Sequence, residues 1–346
     1  MARPSRLQPR PRLLALWLFI VAAMVFAIVV VGGITRLTES GLSITEWDPL
    51  LGVFPPLNEA QWQAAFDGYK AIPQYHAFNT GMSLEAFKHI YFWEYIHRLL
   101  ARTIGTVLLI ILVVFWWKRW IPKGFGWRTI LIFALGGLQG LIGWWMVASG
   151  LEVRTEVSHI RLAIHLLAAM LIYAVLIWTA LDLLALSRGV RHVKLRFWAF
   201  LAILALALQL VLGAFTAGLR AGYAFASWPK MGDSLFPAGG WASGQSLGFN
   251  LSSNPVVVQF QHRWWAWAVA IAVMLLAYAA YRAGRPLRAL TIVALVLIQI
   301  ALGIETLLSG VALPIAVTHQ ATAALLLAAM IWAAHGIGTP RQARRI

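Results

Sequence analysis

Residues 94–117 read EYIHRLLARTIGTVLLIILVVFWW, an apolar run that is long enough to cross a bilayer as a helix and that carries a histidine near one end. Other stretches of the chain are comparably long and apolar. The composition also indicates a membrane protein, because 61% of the 346 residues are hydrophobic and only 12% are charged. The sequence therefore predicts an all-α integral membrane protein with eight transmembrane helices, at residues 13–33, 93–117, 128–149, 159–186, 195–218, 257–281, 288–309 and 314–335.

Four histidines lie at one depth, near the outer ends of the even-numbered predicted helices: His97, His165, His262 and His319. From each of them, 20 to 23 residues lead to the next basic residue on the cytoplasmic side. That distance is about 30 to 35 Å along a helix. Hydrogen-bonded packing explains any single histidine equally well. Four at matched depth can face each other in pairs, as bis-imidazole iron ligation requires, so we expect two buried metal or heme sites, one in each half of the molecule.

The chain has no cysteine. This excludes disulfides, thiolate ligation, iron–sulfur clusters and covalent c-type heme attachment. Histidine is the strong soft ligand that remains.

The basic residues mark one side of the membrane. The formal net charge of +16 could suggest a nucleic-acid partner, but 18 of the 28 Lys and Arg residues fall in alternate connections and the two termini. This is the positive-inside pattern, so we expect no nucleic acid and place both termini, residues 1–12 and 336–346, in the cytoplasm. The first apolar stretch is too long for the core of a signal peptide, and the segment before it is too short for a transit peptide. A bacterial inner membrane, with membrane lipid around the helices, fits best.

The order of features repeats between the two halves of the chain, although their identity is weak. Three pairs of segments correspond: 94–98 with 259–263 at the start of the second and sixth helices, 33–36 with 213–216 at the end of the first and fifth, and the surroundings of His165 with those of His319. Such duplication predicts two pseudo-symmetric four-helix bundles. We place them at residues 13–186 and 195–335, joined by a cytoplasmic linker at 187–194.

The two long outer connections, residues 34–92 and 219–256, are each expected to cap one half. In the first, Asn58 can cap a helix N-terminus, with Gln61 at the capping-box position. We expect this helix to lie on the membrane surface or over the mouth of the bundle. A packed structural loop explains the pattern equally well.

The third, fifth and seventh predicted helices share the motif Gln-x-x-x-Gly, as Gln139 with Gly143, Gln209 with Gly213 and Gln299 with Gly303. A small residue permits close helix packing, and an amide can form an interhelical hydrogen bond. We interpret the motif as scaffold rather than as catalytic machinery.

The two halves differ at Glu94, because its counterpart in the second half is the uncharged Gln259. Three residues before His97, the Glu94 carboxylate lies on the same helix face and about one turn nearer the outer surface. It can then reach the edge of a macrocycle held by that histidine. The alternative is an ion pair with Arg98 or Arg102 at the membrane boundary.

Four arginines lie where the anionic propionates of two hemes would meet them. Arg98 and Arg263 directly follow ligand histidines, and Arg36 and Arg220 lie at the outer ends of the first and fifth helices. Each guanidinium can instead reach lipid phosphate, but the paired placement favours the propionates.

The other five histidines do not share the depth of these four. His159 is expected at the membrane interface. We expect solvent to reach the rest, which lie in loops or near helix ends: His76, His89, His192 and His335.

Three motifs resemble those of a known family: GGITRLTESGLS at residues 32–43, EYIHR at 94–98 and SWPKMG at 227–232. With the eight spanning segments, the chain resembles heme A synthase over nearly the whole spanning region. The first motif followed by Glu-x-x-His-Arg is a specific signature. Many members carry a cysteine pair in the first outer loop. This chain has none, so it is similar to the cysteine-free group of proteobacteria and mitochondria, and a thiol-dependent electron step cannot operate in it.

The resemblance implies that heme O binds in the N-terminal half and that its C8 methyl group is oxidised to a formyl group, giving heme A for terminal oxidases. It assigns Glu94, His97 and His165 to this substrate half. It also implies that His262 and His319 hold a resident heme b that relays electrons. Heme O synthase, the protoheme farnesyltransferase, is an implied partner, because a lipophilic intermediate is best transferred within the bilayer. A homo-oligomer is compatible with the sequence.

Two other functions would use the same residues. A diheme b-type electron-transfer cytochrome needs the four histidines but no asymmetric carboxylate, so the difference between Glu94 and Gln259 argues against it. A transporter with repeated halves would use the histidines for protons or substrate and would bind no heme. A visible absorption spectrum distinguishes the transporter from the heme proteins.

Overall fold

The computed structural model describes residues 8–46, 52–152 and 154–342. Ten α-helices occur in these residues: α1 (Pro11–Leu37), α2 (Glu59–Lys70), α3 (Leu84–Trp117), α4 (Gly126–Leu151), α5 (His159–Leu186), α6 (Phe197–Gly218), α7 (Leu247–Ser253), α8 (Pro255–Arg282), α9 (Pro286–Leu308) and α10 (Leu313–Ile337). All except α2 and α7 are long and apolar enough to cross a membrane. The prediction of an all-α integral membrane protein with eight spanning helices is confirmed.

The predicted ends of the spans agree with the structure to within four residues, except at the start of α3. This helix begins at Leu84 rather than at the predicted residue 93. The Ser83 side chain accepts a hydrogen bond from the backbone N–H of Ala86 and so caps the helix. The added turns carry buried aromatic side chains rather than a continuous apolar stripe, which is why hydropathy placed the start too late.

The helix predicted in the first long connection is α2. The Asn58 side chain accepts a hydrogen bond from the backbone N–H of Gln61 at 2.9 Å, as the capping motif requires. Phe66 and Tyr69 of α2 pack against Phe87 near the start of α3. This connection is therefore a packed cap on the extended end of α3.

The spanning helices form two groups of four. In the first group α1 packs against α3 and α5, and α4 packs against the same two helices. In the second group α6 and α9 both pack against α8 and α10. The groups meet where α5 contacts α6 and α10, and where α1 contacts α10. Exchanging α1 with α6 and α5 with α10 reproduces these contacts, as a pseudo-twofold axis between the groups requires.

A short antiparallel ribbon lies on the side of the short connections. Strand β1 (Val190–Lys194) pairs with β2 (Thr339–Gln342). The expected linker at 187–194 and the expected tail at 336–346 are thus joined by backbone hydrogen bonds, which the helical periodicity of the sequence did not indicate. Residues 1–7 of the basic N-terminus and 343–346 of the tail lie outside the described residues.

Candidate histidine ligand sites

In the second group of helices, His262 on α8 faces His319 on α10. Their ring centroids are 6.4 Å apart, and the ring planes are nearly perpendicular at 87°. Two metal–nitrogen bonds of about 2 Å, with about 1 Å from each nitrogen to its ring centre, would span about 6 Å. The spacing is therefore that of two imidazoles on a single ion.

In the first group, His97 on α3 lies against Gly32 of α1, and His165 on α5 lies against Gly143 of α4. The Gln139 side-chain amide donates to the backbone carbonyl of His165 at 2.9 Å and lies 3.1 Å from its Nδ1 atom. No group of three or more His, Cys, Asp or Glu residues that could hold a metal occurs among the described residues.

The Gln-x-x-x-Gly motif seats three of the four histidines. A Cβ atom at each glycine would lie 3.0 Å from a histidine Cε1 atom: Gly143 faces His165, Gly213 faces His262, and Gly303 faces His319. Like Gln139, Gln209 donates to the carbonyl of its histidine at 2.9 Å. The Gln299 amide nitrogen lies 3.5 Å from a ring nitrogen of His319. The motif is part of the scaffold, as expected, and it positions the imidazoles. The spacing of residues along one helix did not reveal this role, because each histidine lies on a neighbouring helix.

Three of the spanning helices have few buried residues near the depth of the histidines. In α3 no residue between Glu94 and Leu108 is buried, in α9 none follows Val296, and in α10 none precedes Thr322. Buried polar atoms without a hydrogen-bond partner gather at the same depth in the described part of the chain. They include Nδ1 of His262 and His319, Oε1 of Gln209, Gln259, Gln261 and Gln299, Nε and Nη2 of Arg263, and Nε1 of Trp264.

The Glu94 carboxylate is buried, with only 3% of the residue exposed, and it accepts four hydrogen bonds. Arg98 donates to Oε1 from Nε at 3.0 Å and from Nη2 at 2.7 Å. Ser43 Oγ and the backbone N–H of Ile44 donate to Oε2 at 2.8 and 2.9 Å. Glu94 therefore forms the ion pair with Arg98 that the sequence offered as the alternative to a role at the macrocycle edge. Through Ser43 and Ile44 it also holds the start of the first long connection one turn from His97.

The second half repeats this arrangement without the charge. Gln259 donates to the carbonyl of Phe225 at 3.1 Å. Arg263 Nη1 donates to the carbonyls of Ser227 and Lys230 at 2.9 and 3.0 Å. In each half, the residue three before the histidine and the arginine after it therefore hold the adjacent loop. Only the first half places a carboxylate there.

Arg36 and Arg220 join the two halves through acidic residues. Arg36 Nη2 pairs with Glu156 Oε2 at 2.9 Å and also donates to the carbonyl of Ala217. Arg220 pairs with the other oxygen of Glu156 and with Glu39. These four charged side chains, Arg36, Glu39, Glu156 and Arg220, are called the interface quartet below.

Two of the remaining histidines are buried. His159 packs against Phe215 of α6, and its Nε2 lies 3.2 Å from Ser253 Oγ. His335 pairs with the fully buried Asp182 at 3.1 Å. The expectation of a solvated His335 was wrong, because the compensating carboxylate lies on another helix. His76 and His89 are exposed, as predicted, and His192 is half-buried.

The fold and these sites define an eight-span membrane protein with histidines inside both groups of helices, two of which, His262 and His319, face each other. The family model for cytochrome oxidase assembly proteins matches residues 15–331. The heme A synthase of Rhizorhabdus wittichii is 63% identical over 343 residues, covering 99% of both chains. Those of Sphingopyxis alaskensis and Novosphingobium aromaticivorans are 51% and 50% identical, covering 96% and 95% of this chain and 94% and 96% of their own. The chain belongs to this family, that of the heme A synthases.

Proposed function

We propose that this protein oxidises the C8 methyl group of heme O to a formyl group and so produces heme A. The substrate would bind between His97 and His165 in the half formed by residues 13–186. A resident heme b would bind between His262 and His319 in the half formed by 195–335 and relay electrons. The observation that carries the proposal is the difference between the two halves at one position. A buried carboxylate, Glu94, lies one turn from His97, whereas the amide of Gln259 lies one turn from His262.

The residues around His262 and His319 fit a bis-histidine heme. The rings have the separation that one ion needs, and their Nδ1 atoms are buried without a partner. Arg263 is 5% exposed, yet its Nε and Nη2 have no hydrogen-bond partner among the described residues. A buried guanidinium with free donors suits a propionate, because charge-assisted hydrogen bonds to a carboxylate would satisfy it.

The other three arginines proposed for propionates already have protein partners. Arg98 is bonded to Glu94 and to the carbonyls of Ile44 and Glu46, and Arg36 and Arg220 belong to the interface quartet. We therefore propose that they supply positive potential at the propionate end of the porphyrins, while Arg263 makes the direct contact.

In this mechanism the Glu94 carboxylate lies beside the substrate porphyrin edge. Bound heme supplies the redox chemistry, and the protein supplies orientation and electrostatics. Oxidation of a methyl group on a conjugated ring develops a cationic or radical carbon, which a fixed carboxylate in a site of low dielectric stabilises. The same carboxylate can also position a water molecule at this edge. Two successive two-electron oxidations, with the electrons and protons passed to an external acceptor, would then give a hydroxymethyl group and a hydrated aldehyde, which loses water to leave the formyl group.

The proposal places the protein in a bacterial inner membrane with both termini in the cytoplasm, because the basic residues gather on that side. A heme O synthase would be its partner. This inference rests on the lipophilic substrate, which is most readily transferred between two proteins that share a bilayer.

Glu94→Gln tests the proposal. The variant keeps the size and some hydrogen bonds of Glu94 and converts the site to the form that Gln259 has in the other half. After co-expression with a heme O source, heme extraction and chromatography, we expect heme O to persist, heme A to be lost and heme b to be unchanged. His262→Ala or His319→Ala should instead lower heme b.

Unchanged heme A in Glu94→Gln would remove the carboxylate from the mechanism. Wild-type protein that binds heme but leaves heme O unconverted would favour the diheme electron-transfer cytochrome. The absence of a Soret band would favour the transporter.

A further inference from the structure

Each of the four histidines lies against a glycine of a neighbouring helix. For three of them, the helix that provides the glycine also provides a glutamine four residues earlier, whose side-chain amide lies beside the histidine. The fourth, His97, lies against Gly32 of α1, where an added Cβ would be 3.3 Å from the ring. Four residues before Gly32 stands Ile28, so α1 lacks a side-chain amide at the position where the other three helices have one.

A side-chain amide reaches this part of α1 from the other half of the molecule. Gln320 of α10 donates from Nε2 to the backbone carbonyl of Val29 at 2.7 Å. It also covers Gly33, where an added Cβ would lie 2.5 Å from Oε1 and 2.9 Å from Cδ of Gln320. The carboxamide therefore lies along one turn of α1, and a side chain at position 33 would displace it.

This turn of α1 lies between residues of the two histidine sites. Gly32 contacts His97, and the residue after Gly32 contacts Gln320. Gln320 in turn directly follows His319 on α10. In the first half, Leu166 stands at the position of Gln320, so its side chain cannot make the same hydrogen bond to α6. The hydrogen bond from α10 therefore holds the helix against which His97 lies, and the exchanged position in α5 holds nothing in the same way.

We propose that Gln320 is a positioning residue of the N-terminal site. It holds α1 in place, and Gly32 of α1 then limits the orientations that the His97 ring can adopt. Partners around a ligating imidazole fix the ring and so tune its bond to the metal. Because Gln320 belongs to the helix that carries His319, the substrate site is fully ordered only when that helix of the other half is in place. This inference rests on the proposed function.

The first test is Gln320→Ala. The full-length variant is purified in detergent with its resident heme b and loaded with hemin as the probe. Absorption and electron paramagnetic resonance report the spin state of the added ferric heme, and transfer to excess apomyoglobin reports its dissociation. Loss of this hydrogen bond should make the hemin partly high-spin and about three- to tenfold faster to dissociate, with heme b content unchanged. Added hemin that behaves as in the wild type, or an equal loss of heme b, would overturn the proposal.

Gly33→Ala changes the same contact from the side of α1. Its methyl group would displace the Gln320 carboxamide, so we expect hemin to dissociate as fast as from Gln320→Ala. In Gly33→Ala/Gln320→Ala the methyl group occupies part of the emptied space, but the hydrogen bond stays lost. The two changes affect one contact, so their effects should not add, and the double variant should resemble Gln320→Ala. A double variant that behaves as the wild type would show that Gln320 only fills space, and the proposal would fail.

Asp182→Asn is the control, because Asp182 of α5 pairs with His335 of the other group at the opposite end of the bundle. We expect it to lower stability and to leave the added hemin unchanged. If it accelerates hemin dissociation as much as Gln320→Ala does, a general loss of contact between the groups explains both results and the proposal is wrong. Retained heme b reports that each variant has folded, and if Gln320→Ala does not fold, Gly33→Ala decides.

The wild type separates this inference from the proposed function. Wild-type protein that binds no hemin beyond its heme b would overturn the proposed function as well. Wild-type protein that binds hemin and converts heme O, with variants that hold hemin as it does, would overturn the role of Gln320 alone.

Discussion

A carboxylate within a membrane-spanning helix needs partners for both oxygens, because water is not available to solvate it. Glu94 meets this requirement with four donors, two of which come from Arg98. The ion pair and a catalytic role are compatible, since the pair holds the carboxylate in place one turn from His97. A charge that is held in place before the reaction costs no reorganisation during it.

At the residue scale, Arg98→Ala should destabilise the protein by about 3 to 5 kcal/mol, because it leaves the buried Glu94 charge without its partner. The measurement is thermal unfolding in detergent, followed by tryptophan fluorescence. The Glu94→Gln/Arg98→Ala double variant removes that charge and should recover most of the loss. An Arg98→Ala protein that unfolds at the wild-type temperature would show that the pair contributes no stability.

At the scale of elements, buried polar contacts tie the basic side of the bundle together. Asp182 of α5 is fully buried and accepts hydrogen bonds from Arg128 of α4 at 2.6 Å, His335 of α10 at 3.1 Å and the backbone N–H of Val193 in β1 at 3.0 Å. One side chain therefore connects helices of both groups with the ribbon. An apolar residue there would leave three donors unsatisfied.

Asp182→Asn should lower stability by about 3 kcal/mol, because it removes the charge that Arg128 pairs with and turns amide protons towards the surrounding donors. Thermal unfolding in detergent again provides the measurement. Asp67→Asn is the matched control, since Asp67 pairs with Lys70 on the exposed face of α2, and we expect it to unfold as the wild type does. If Asp182→Asn and Asp67→Asn unfold at the same temperature, the contacts of Asp182 do not stabilise the bundle.

The N-cap of α2 makes a smaller contribution at the same scale. Asn58→Ala removes the acceptor for the backbone N–H of Gln61, at a cost of about 1 kcal/mol. Because α2 packs on the end of α3 and not within the membrane-spanning bundle, we expect local loosening, seen as faster protease cleavage within residues 59–70 while heme b content is retained. Cleavage at the wild-type rate would show that packing alone holds α2.

At the scale of the whole molecule, the interface quartet links the two groups of helices. Glu39 and Arg220 both have positive φ, 57° and 52°, and both follow the end of a spanning helix, α1 and α6 respectively. Non-glycine residues hold this conformation at some cost when surrounding contacts fix them. Here the compensating contact is the pair that they form with each other.

Glu156→Gln removes the charge that both Arg36 and Arg220 share. These pairs are partly exposed, so each should contribute less than about 1 kcal/mol and should weaken as salt rises. We expect a lower unfolding temperature than the wild type at low ionic strength and a smaller difference at high ionic strength. Glu85→Gln, which removes a pair within α3, is the control. A loss that does not depend on salt would show that Glu156 acts through packing instead.

The spans, the long connections and the depth of the four histidines were readable from the sequence, because hydropathy and helical rise are properties of each segment alone. The same holds for the difference between Glu94 and Gln259. Tertiary structure decided which atoms meet: that Arg98 pairs with Glu94, that His335 pairs with Asp182, and that Gly143 packs against His165. The last two contacts join residues on different helices, and the first is one of the two ion pairs that the spacing along α3 allowed. Spacing along the chain determines the depth of a residue and the helix face on which it lies, but it carries no information about which residues of other helices it contacts.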